Sequence, residues 1–542
     1  MKTKKKLPSV AYFCMEYGVD ETLKTYAGGL GILAGDYLKG AREYNYPVIG
    51  IGVKWKQGYT GQRVGKDGRP YDTYHDWEYD FLQDTGVRVN VWIRRRKVVC
   101  RVWKVDCFNN APLYLLDTDL PENEDPWITG QLYGWFAEER IAQEMVLGIG
   151  GVRALRALNL QVDVYHFNEG HAVFAGLELI REKMASGASF IEATAATRRE
   201  IVFTTHTPVS QGNEEHYLDC LLYMGVGSGL TLEQLVKIGG APFDMTVAAL
   251  RLSRAANAVS RLHCRTANQM WAHVTGRATI TGITNGIHLP TWVDEEMLRA
   301  TEGKGDLWTR HLKNKKLLLD FIKERNGVTL DPGVLLIGFS RRAAPYKRSD
   351  FIFSHEEETA MLLKNRRIQL VFSGKAHPLD DTGKKIIANL VRISKKYPAT
   401  VVFLENYDMK IGRILTQGVD LWLNNPRRPK EACGTSGMKA AMNGVPNCSI
   451  LDGWWPEACR HGVNGWQFGD GFENEEQDKQ DEWDLRALYK VLKEEIIPMY
   501  YENRPAWVEV MRNSILSTRE TFSIRRALAE YYKKMYTGWD QP

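Results

Sequence analysis

Short apolar runs alternate with longer segments of helical period along the chain. In the first half, the strand-like runs are rich in Val, Ile and aromatic residues and read VAYFCMEY, VIGIGV, VDVYHFN, IVFTTH and ATITGIT. The intervening segments FAEERIAQEMVLGIGGVRALRAL and AVFAGLELIREKMA carry apolar residues at i, i+3 and i+4 spacing, which predicts helices that each lay one face on a sheet. This alternation is typical of doubly wound α/β sheets covered by helices.

The second half repeats the same rhythm. Its predicted strands read VLLIGFS, IQLVFSG, ATVVFLEN, VDLWLNN and NCSILDG. Before them, a helical segment ends at Gly327 and the turn-rich VTLDPG follows, which predicts a domain boundary there. We therefore expect two Rossmann-like domains, 1–328 and 329–518, with a ligand in the cleft between them.

Two segments depart from the α/β pattern. Residues 85–119 contain VNVWIRRR and then KVVCRVWKV, which predicts a β-hairpin insertion in the first domain. Residues 470–485 are acidic and poor in apolar residues, which predicts a surface loop.

Composition excludes several classes of protein. The chain has 542 residues, of which 44% are hydrophobic and 25% charged, as in ordinary globular proteins. The net charge of +5 is spread along the chain, so no nucleic-acid partner is predicted. No apolar stretch approaches the roughly 20 residues of a membrane span and no signal peptide is evident, which predicts a cytoplasmic protein without membrane contact. The eight cysteines form no CxxC pair, so neither disulfides nor a zinc site is predicted.

Two glycine-rich or basic motifs follow predicted strands and suit anions. In AGGLGILAGD, the glycines open a helix, so backbone N–H groups can face an anion or a sugar; the alternative is a tight turn without a ligand. In GFSRRAAPYKRSD, Arg341, Arg342, Lys347 and Arg348 crowd within eight residues, which suits a phosphate; the alternative is a solvated basic turn.

A third motif combines an anion cradle with an amine. In NNPRRPKEACGTSGMKAAMNGVP, a loop leads into a helix whose first N–H groups come from Thr435 and Ser436, with Lys439 close behind. An amine beside a phosphate cradle is what a pyridoxal phosphate site requires. The alternative is an ordinary surface lysine.

Polar residues also follow three strands of the first half. They are Glu169 and His171 in HFNEGH, His206 in THTPVSQGNEEH and Asn285 in ITNGIH. Such groups suit sugar hydroxyls. The histidine spacing is not that of a zinc motif, so no metal is predicted.

Taken together and in this order, these segments resemble the α-glucan phosphorylases, and in particular their short bacterial and archaeal branch of glycogen, starch or maltodextrin phosphorylases. EACGTSGMKAAMNG resembles the family signature EASGTGNMK, and AGGLG, the RRxxxYKR cluster, FLENY and TNGI stand in register. The resemblance implies two Rossmann-like domains of the glycosyltransferase-phosphorylase type, with the C-terminal helix of residues 519–542 crossing back to the first domain.

The same resemblance implies an enzyme, a hexosyltransferase that reversibly transfers the non-reducing terminal glucose of an α-1,4-glucan to phosphate with retained configuration, giving α-D-glucose-1-phosphate. It implies that Lys439 carries pyridoxal phosphate covalently and that the cofactor's phosphate relays a proton to the substrate phosphate. The implied catalytic residues are Lys439, Arg342, Lys347 and His206. The implied cofactor contacts are Lys439, Thr435, Ser436, Tyr407, Lys347 and Gly29. The implied substrate contacts are Glu431, Cys433, Gly434, Asn285, His206, Gly28, Leu30, Arg341, Glu169 and His171.

The chain departs from the family pattern in a few positions. Long members have Lys at position 341 and Ser at position 433, where this chain has Arg and Cys, and GTGN reads GTSG here. The chain also begins almost at the first strand, so we expect the regulatory N-terminal extension and its allosteric sites to be missing. The resemblance further implies a homodimer or larger assembly.

Two other hypotheses are compatible with parts of the sequence. A nucleotide-sugar-dependent α-glucan synthase shares the fold and would place Arg342 and Lys347 on a donor diphosphate, but it has no need of Lys439. A non-catalytic glucan-binding protein could use some of the 16 tryptophans, but it needs neither the lysine nor the basic cluster.

Overall fold

The computed structural model describes residues 6–209, 212–227 and 229–538. These residues form two compact units. Unit 1 takes the described residues of Met1–Tyr59, Tyr74–Thr284 and Ile524–Pro542, and unit 2 takes Thr60–Thr73 and Asn285–Ser523. Each unit is built on its own sheet, parallel throughout in unit 2 and mainly parallel in unit 1, which confirms the predicted α/β class.

The strands are β1 (Val10–Phe13), β2 (Val48–Val53), β3 (Gly61–Val64), β4 (Pro70–Thr73), β5 (Gln83–Ile93), β6 (Arg96–Val105), β7 (Leu113–Asp117), β8 (Val164–Asn168), β9 (Ile201–Thr205), β10 (Glu215–His216), β11 (Phe243–Asp244), β12 (Ala255–Ala258), β13 (Ile280–Gly282), β14 (Leu335–Ser340), β15 (Ile368–Ser373), β16 (Val401–Leu404), β17 (Leu421–Asn424), β18 (Asn447–Ile450) and β19 (Gly465–Phe468).

The α-helices are α1 (Gly29–Glu43), α2 (Ala137–Met145), α3 (Gly151–Ala157), α4 (Val173–Ala185), α5 (Phe190–Glu200), α6 (Leu218–Met224), α7 (Leu232–Gly239), α8 (Met245–Leu252), α9 (Arg261–Met270), α10 (Leu289–Trp292), α11 (Glu295–Thr301), α12 (Leu307–Asn326), α13 (Glu356–Lys364), α14 (Asp381–Lys396), α15 (Met409–Gly418), α16 (Thr435–Met442), α17 (Trp455–Ala458), α18 (Gln477–Val491), α19 (Ile497–Glu502), α20 (Arg504–Thr518) and α21 (Ile524–Tyr531). None of the helices in the described part of the chain combines the length and apolar character needed to cross a bilayer.

The sheet of unit 1 has the order β13-β12-β9-β8-β1-β2-β7-β6-β5. It is parallel from β13 to β7, and β5 and β6 add an antiparallel hairpin at the edge where the sequence predicts one. The two turn residues, Arg94 and Arg95, both have positive φ, as tight two-residue hairpins require. Alternate residues of β1 enter two separate cores, so the sheet is buried on both faces.

The sheet of unit 2 is parallel throughout, with the order β16-β15-β14-β17-β18-β19. The strand order reverses between β14 and β17, because β15 and β16 lie on the other side of β14. Such a switch point leaves a crevice at the carboxyl ends of the strands, where α/β proteins bind ligands. The small β3-β4 hairpin belongs to this unit, since Lys384 on α14 pairs with Asp72 at 2.6 Å.

The boundary between the units differs from the predicted position after residue 328, because unit 2 already begins at Asn285. Helix α12 explains the difference, since Leu318 and Ile322 on its apolar face pack in one core with Leu336 of β14. The turn-rich VTLDPG is therefore a loop within unit 2.

The C-terminal segment divides at residues 523 and 524. Residues before this point belong to unit 2, whereas α21 and the turn after it belong to unit 1. Tyr536 anchors the segment there, because its hydroxyl lies 2.6 Å from His166 Nδ1 on β8 and 2.5 Å from the Tyr37 hydroxyl on α1.

The acidic segment predicted as a loop is partly helical, because α18 begins at Gln477. Its acidic residues have cationic partners: Asp481 pairs with Arg348 at 2.7 Å and with Arg427, and Asp484 pairs with Arg348 at 2.8 Å. These ion pairs join residues more than fifty positions apart, so the local composition gave no sign of them.

Candidate functional site

Two of the predicted cations on the loop after β14 share one carboxylate. Glu431, which follows β17, has Oε2 at 2.6 Å from both Arg341 Nη2 and Lys347 Nζ, and all three side chains are buried. Burial would raise the pKa of Glu431, but the two neighbouring cations lower it below its ordinary value. Because Glu431 is therefore ionised at neutral pH, the three groups carry one net positive charge, which suits an anionic ligand.

The other two cations of this loop have different surroundings. Arg342 is exposed. Arg348 is buried and donates to the backbone carbonyls of Asn425 at 2.8 Å and Pro426 at 3.0 Å, in addition to its aspartate partners. Arg348 therefore fixes the loop after β17 in place, so the members of the predicted four-residue cluster have different surroundings.

The GTSG loop leads directly into α16. Gly434 caps this helix with φ 85°, a left-handed conformation that favours glycine. The N–H groups of Thr435 and Ser436 lie in the first turn, where no carbonyl of the helix accepts from them. The Ser436 Oγ atom is buried and has no hydrogen-bond partner within the described part of the chain. The start of α16 thus offers several donors to an anion.

Lys439 is buried on the second turn of α16. Its Nζ lies 3.2 Å from the centre of the Trp292 ring. Asn443, one turn further, donates to the Lys439 carbonyl at 2.9 Å and to the Trp292 carbonyl at 3.0 Å. Asn443 therefore ties the lysine's helix to the segment that carries the tryptophan.

This donor set fits pyridoxal phosphate. The Lys439 amine can bond the cofactor, the Trp292 ring offers an aromatic face, and the unsatisfied Ser436 hydroxyl beside the start of α16 can receive a phosphate. Tyr407, on the loop after β16, is predicted to contact the cofactor as well. Burial raises the pKa of Tyr407 to about 12, so at neutral pH its hydroxyl can donate a hydrogen bond.

Three predicted substrate residues also belong to unit 2. Cys433 is buried, and its carbonyl accepts the Trp454 N–H at 3.0 Å. Gly434 adjoins it. Asn285, predicted on the first domain, is instead the first residue of unit 2, and its side chain is buried.

In unit 1, the glycine loop is held by a carboxylate. Glu16, just after β1, accepts the N–H groups of Ala27 at 2.6 Å and Gly28 at 2.9 Å, and its other oxygen lies 2.5 Å from the Tyr133 hydroxyl. The Gly28 N–H is therefore already bonded. The N–H groups of Gly29 and Leu30 begin α1, where a ligand can accept from them.

Glu169 and His206 form a second polar group in unit 1. The Glu169 carboxylate accepts the His206 N–H at 2.9 Å and the Thr207 hydroxyl at 3.1 Å. Burial raises the pKa of Glu169 to about 7 and lowers the pKa of His206 to about 3. His206 Nε2 lies 2.6 Å from Asn168 Oδ1. His206 is thus a neutral hydrogen-bonding group at neutral pH.

His171 borders a buried ionic cluster. Arg140 Nε pairs with Glu214 at 2.6 Å, and His216 Nε2 lies 2.8 Å from Glu144. Burial and the Glu214 charge raise the pKa of Glu144, so the two carboxylates together carry about one negative charge, which Arg140 balances. Burial, followed by the charge of Arg140, lowers the pKa of His171 to about 4, which leaves this ring neutral.

Two residues of these groups, Trp292 and Glu16, were not among the residues predicted from the motifs. Trp292 follows the TNGI motif by a few residues, in HLPTW, and Glu16 is the second-last residue of the run VAYFCMEY. Each stands just after a motif or strand, but only the tertiary fold brings Trp292 to Lys439 and Glu16 to Gly28.

Comparison with known proteins gives consistent matches. Residues 295–494 match a family model described as carbohydrate phosphorylase. The maltodextrin phosphorylase of Thermococcus litoralis is 38% identical over 591 residues, covering 97% of this chain and 70% of that protein. The glycogen phosphorylase of Aquifex aeolicus is 34% identical over 600 residues, covering 97% of this chain and 86% of that protein. An uncharacterized protein of Methanocaldococcus jannaschii is 35% identical over 534 residues, covering 97% of this chain and 99% of that protein.

Proposed function

The chain belongs to the carbohydrate phosphorylase family, and on that premise we propose that it is an α-glucan phosphorylase. The resemblance drawn from its motifs is thereby confirmed. The proposed reaction transfers the non-reducing terminal glucose of an α-1,4-glucan to inorganic phosphate, reversibly and with retained configuration, and yields α-D-glucose-1-phosphate. The observation that carries this proposal is the buried Lys439 amine on a helix whose first turn offers an unsatisfied Ser436 hydroxyl.

We propose that unit 2 holds the two phosphate groups. Lys439 would bond pyridoxal phosphate, Thr435 and Ser436 would donate to its phosphate group, and Tyr407 would donate to the cofactor from the next loop. When bound, the cofactor would supply a phosphate group that can exchange a proton with the substrate phosphate. Lys439 is buried, at 5% exposure, so most of its side chain is shielded from water.

Arg342 and Lys347 would bind the substrate phosphate. Lys347 and Arg341 both pair with the same oxygen of Glu431, at 2.6 Å. Glu431 can therefore keep Arg341 as its partner while Lys347 turns to the phosphate. A charged group in a buried site needs a counter-charge, and Glu431 would have one both before phosphate binds and after Lys347 has turned to the phosphate. Glu431, Cys433, Gly434 and Asn285 would contact the glucosyl unit; Glu431, as an ionised acceptor, would take hydrogen bonds from sugar hydroxyls.

We propose that unit 1 supplies the remaining glucan contacts. Gly28, Gly29 and Leu30 lie at the start of α1. A Cβ added at either glycine would meet open space in the described structure, so a ligand can approach the backbone there. Gly29 would also contact the cofactor. His206, His171 and Glu169 offer neutral or nearly neutral polar groups, which bind hydroxyls without the desolvation cost of a full charge.

Two further proposals follow from the family. We propose that the two units correspond to the Rossmann-like domains of the glycosyltransferase-phosphorylase type, with α21 as the C-terminal helix that returns to the first of them. This is supported by two parallel sheets and by the assignment of residues from Ile524 onward to unit 1. We also propose a homo-oligomer.

The first experiment compares wild type with Lys439→Ala and with Lys490→Ala, a control that removes an exposed lysine from α18. Absorbance and fluorescence spectra of the purified proteins should show a stoichiometric pyridoxal species in wild type and in the control, and none in Lys439→Ala. Wild type should then release glucose-1-phosphate from maltodextrin only when phosphate is present. A folded wild type that stays colourless after incubation with pyridoxal phosphate would refute the proposal, and incorporation of glucose from a nucleotide sugar would support a synthase instead.

A further inference from the structure

The loop after β18 is bonded directly to the loop that carries Glu431. Asp452 is buried, and its Oδ2 accepts the Glu431 N–H at 2.9 Å while its Oδ1 accepts the Gly453 N–H at 2.8 Å. The next residue, Trp454, donates its N–H to the Cys433 carbonyl at 3.0 Å. The loop after β18 is thus bonded to the loop after β17 at two points, Glu431 and Cys433.

The contact between the two loops leaves no room for a side chain. Gly453 has φ 57°, and a Cβ added there would lie 2.2 Å from the Cys433 carbonyl oxygen and 3.0 Å from Glu431 Cγ. A close approach of this kind, with a glycine in the left-handed region, indicates that the position of the Glu431 backbone is set by the loop after β18.

We propose that Asp452 is a positioning residue of the phosphate and glucosyl site. By accepting the Glu431 N–H, it holds the Glu431 carboxylate where one oxygen meets both Arg341 and Lys347 at 2.6 Å. If the backbone of Glu431 shifted by an ångström, a single oxygen could no longer serve both cations. This inference rests on the proposed function, which it deepens by naming a residue that acts through Glu431.

Asp452 also adds a second carboxylate to the charges of this site. The groups that face it are the Glu431 carboxylate, the Arg428 guanidinium and the two N–H donors. Burial, and then the repulsion from Glu431, raise the pKa of Asp452 to about 7. With Asp452 protonated, Arg341, Lys347 and Glu431 leave one net positive charge. Ionisation of Asp452 removes one positive charge from that sum, so between pH 6 and pH 8, where phosphate itself also loses a proton, wild type should lose phosphate affinity relative to a variant without this carboxylate.

The test compares wild type with Asp452→Asn and Asp452→Glu. Asparagine offers only one oxygen to two N–H donors, so kcat should fall about 5- to 150-fold, the range expected for a buried donor left without a partner. The ratio of phosphate affinities of wild type and Asp452→Asn should also fall between pH 6 and pH 8, because only wild type gains a negative charge at this position. Asp452→Glu should lower kcat through its longer side chain while keeping the pH dependence. Titration calorimetry of phosphate in two buffers of different ionisation enthalpy measures this linkage without turnover, as the difference in proton uptake between wild type and Asp452→Asn, because the ionisation of phosphate contributes to both.

Two controls separate positioning from mere stability. Asp420→Asn removes another buried carboxylate of unit 2, at the opposite end of β17, and should lower the melting temperature without altering the pH dependence of phosphate binding. A double-mutant cycle with Glu431→Gln tests whether Asp452 acts through Glu431. In the Glu431→Gln background, Asp452→Asn should change kcat by less than about twofold.

The results that would overturn the positioning role of Asp452 differ from those that would refute the proposed function. A folded, cofactor-loaded Asp452→Asn with wild-type kcat and wild-type pH dependence would overturn this inference. A double mutant whose loss of kcat equals the product of the losses in Asp452→Asn and Glu431→Gln would overturn it as well. If Asp452→Asn does not fold, Asp452→Glu still decides, because a folded Asp452→Glu with wild-type kcat would contradict the positioning role. Wild type that releases no glucose-1-phosphate would refute the proposed function itself and is observed separately.

Discussion

Replacing Asp420 with asparagine should destabilise unit 2 strongly. Asp420 is completely buried before β17 and accepts from Lys315 Nζ at 2.6 Å, His311 Nε2 at 2.8 Å and the Leu336 N–H at 2.8 Å. Burial would raise the pKa of Asp420, but the neighbouring Lys315 and His311 lower it to about 2. A depression from 3.8 to about 2 corresponds to roughly 2 kcal/mol of stability at neutral pH.

The cost of the substitution is larger than this shift, because Lys315 remains buried without its counter-ion. Removing one partner of a buried ion pair costs about 3–5 kcal/mol. For a unit of this size, each kcal/mol lowers the melting temperature by about 2–4 °C, so a decrease of roughly 6–20 °C is expected. Since the folded pKa of Asp420 is depressed, its contribution is present above pH 4 and is lost as the pH falls towards 2.

Thermal unfolding at pH 7, followed by circular dichroism, measures this effect. Asp320→Asn is the matched control, because Asp320 lies on the same helix as Lys315 and pairs at 2.5 Å with Lys316 on the surface. This exposed pair should contribute no more than about 0.5 kcal/mol. Lys315→Met in the Asp420→Asn background should recover part of the loss, since it removes the unpaired charge. Equal melting temperatures for Asp420→Asn and Asp320→Asn would show that the reasoning from burial is wrong.

Two further predictions concern unit 1. Glu16→Ala leaves the N–H groups of Ala27 and Gly28 without their acceptor and should lower kcat/KM about tenfold. Glu16→Gln keeps an oxygen that can accept from both N–H groups and should retain most of the activity. Steady-state kinetics of the two variants test this, and equal losses of kcat/KM would contradict it. The pKa of Glu169 rises from 4.5 to about 7 by burial, so the folded state holds this proton more tightly and stability should decline by about 3 kcal/mol as the pH rises from 4.5 through 7. Glu169→Gln should remove this decline from the melting temperatures between pH 5 and pH 8, and an unchanged decline would assign it to another group.

Local patterns predicted the elements of this fold but not how they group. The apolar strands and amphipathic helices stand where their periodicity places them, because each must bury one face or both. The predicted boundary after residue 328 rests on VTLDPG, which has the composition of a linker, whereas the compact units divide at Asn285. What decides the grouping is the burial of Lys315 against Asp420, which no pattern within one segment reveals. The inclusion of residues 60–73 in unit 2 has the same origin, a contact between Asp72 and Lys384.

The motifs indicated a phosphate ligand for Arg341 and Lys347 and an amine-bound cofactor for Lys439, and the family resemblance implied a glucosyl contact for Glu431. These roles stay predictions, and the connections between the residues could not be read from the motifs. Two contacts join side chains from separate parts of unit 2. The Glu431 carboxylate pairs with both Arg341 and Lys347, and the Trp292 ring covers the Lys439 amine. The acidic segment shows the same limit, because its aspartates are ordered by arginines distant in sequence.

Strand order is the physical reason for these connections. The ionic chain of the site consists of Arg341 and Lys347 after β14, Glu431 after β17 and Asp452 after β18, and these three strands are direct neighbours in the sheet. Neighbouring strands lie about 4.8 Å apart. In a sheet that kept sequence order, β15 and β16 would stand between β14 and β17, and the two loops would begin about 14 Å apart, too far for one carboxylate to reach both cations. The reversal at β14 therefore creates the site from motifs that the sequence keeps eighty residues apart, and any change that altered the order would abolish the pairing while leaving every motif intact.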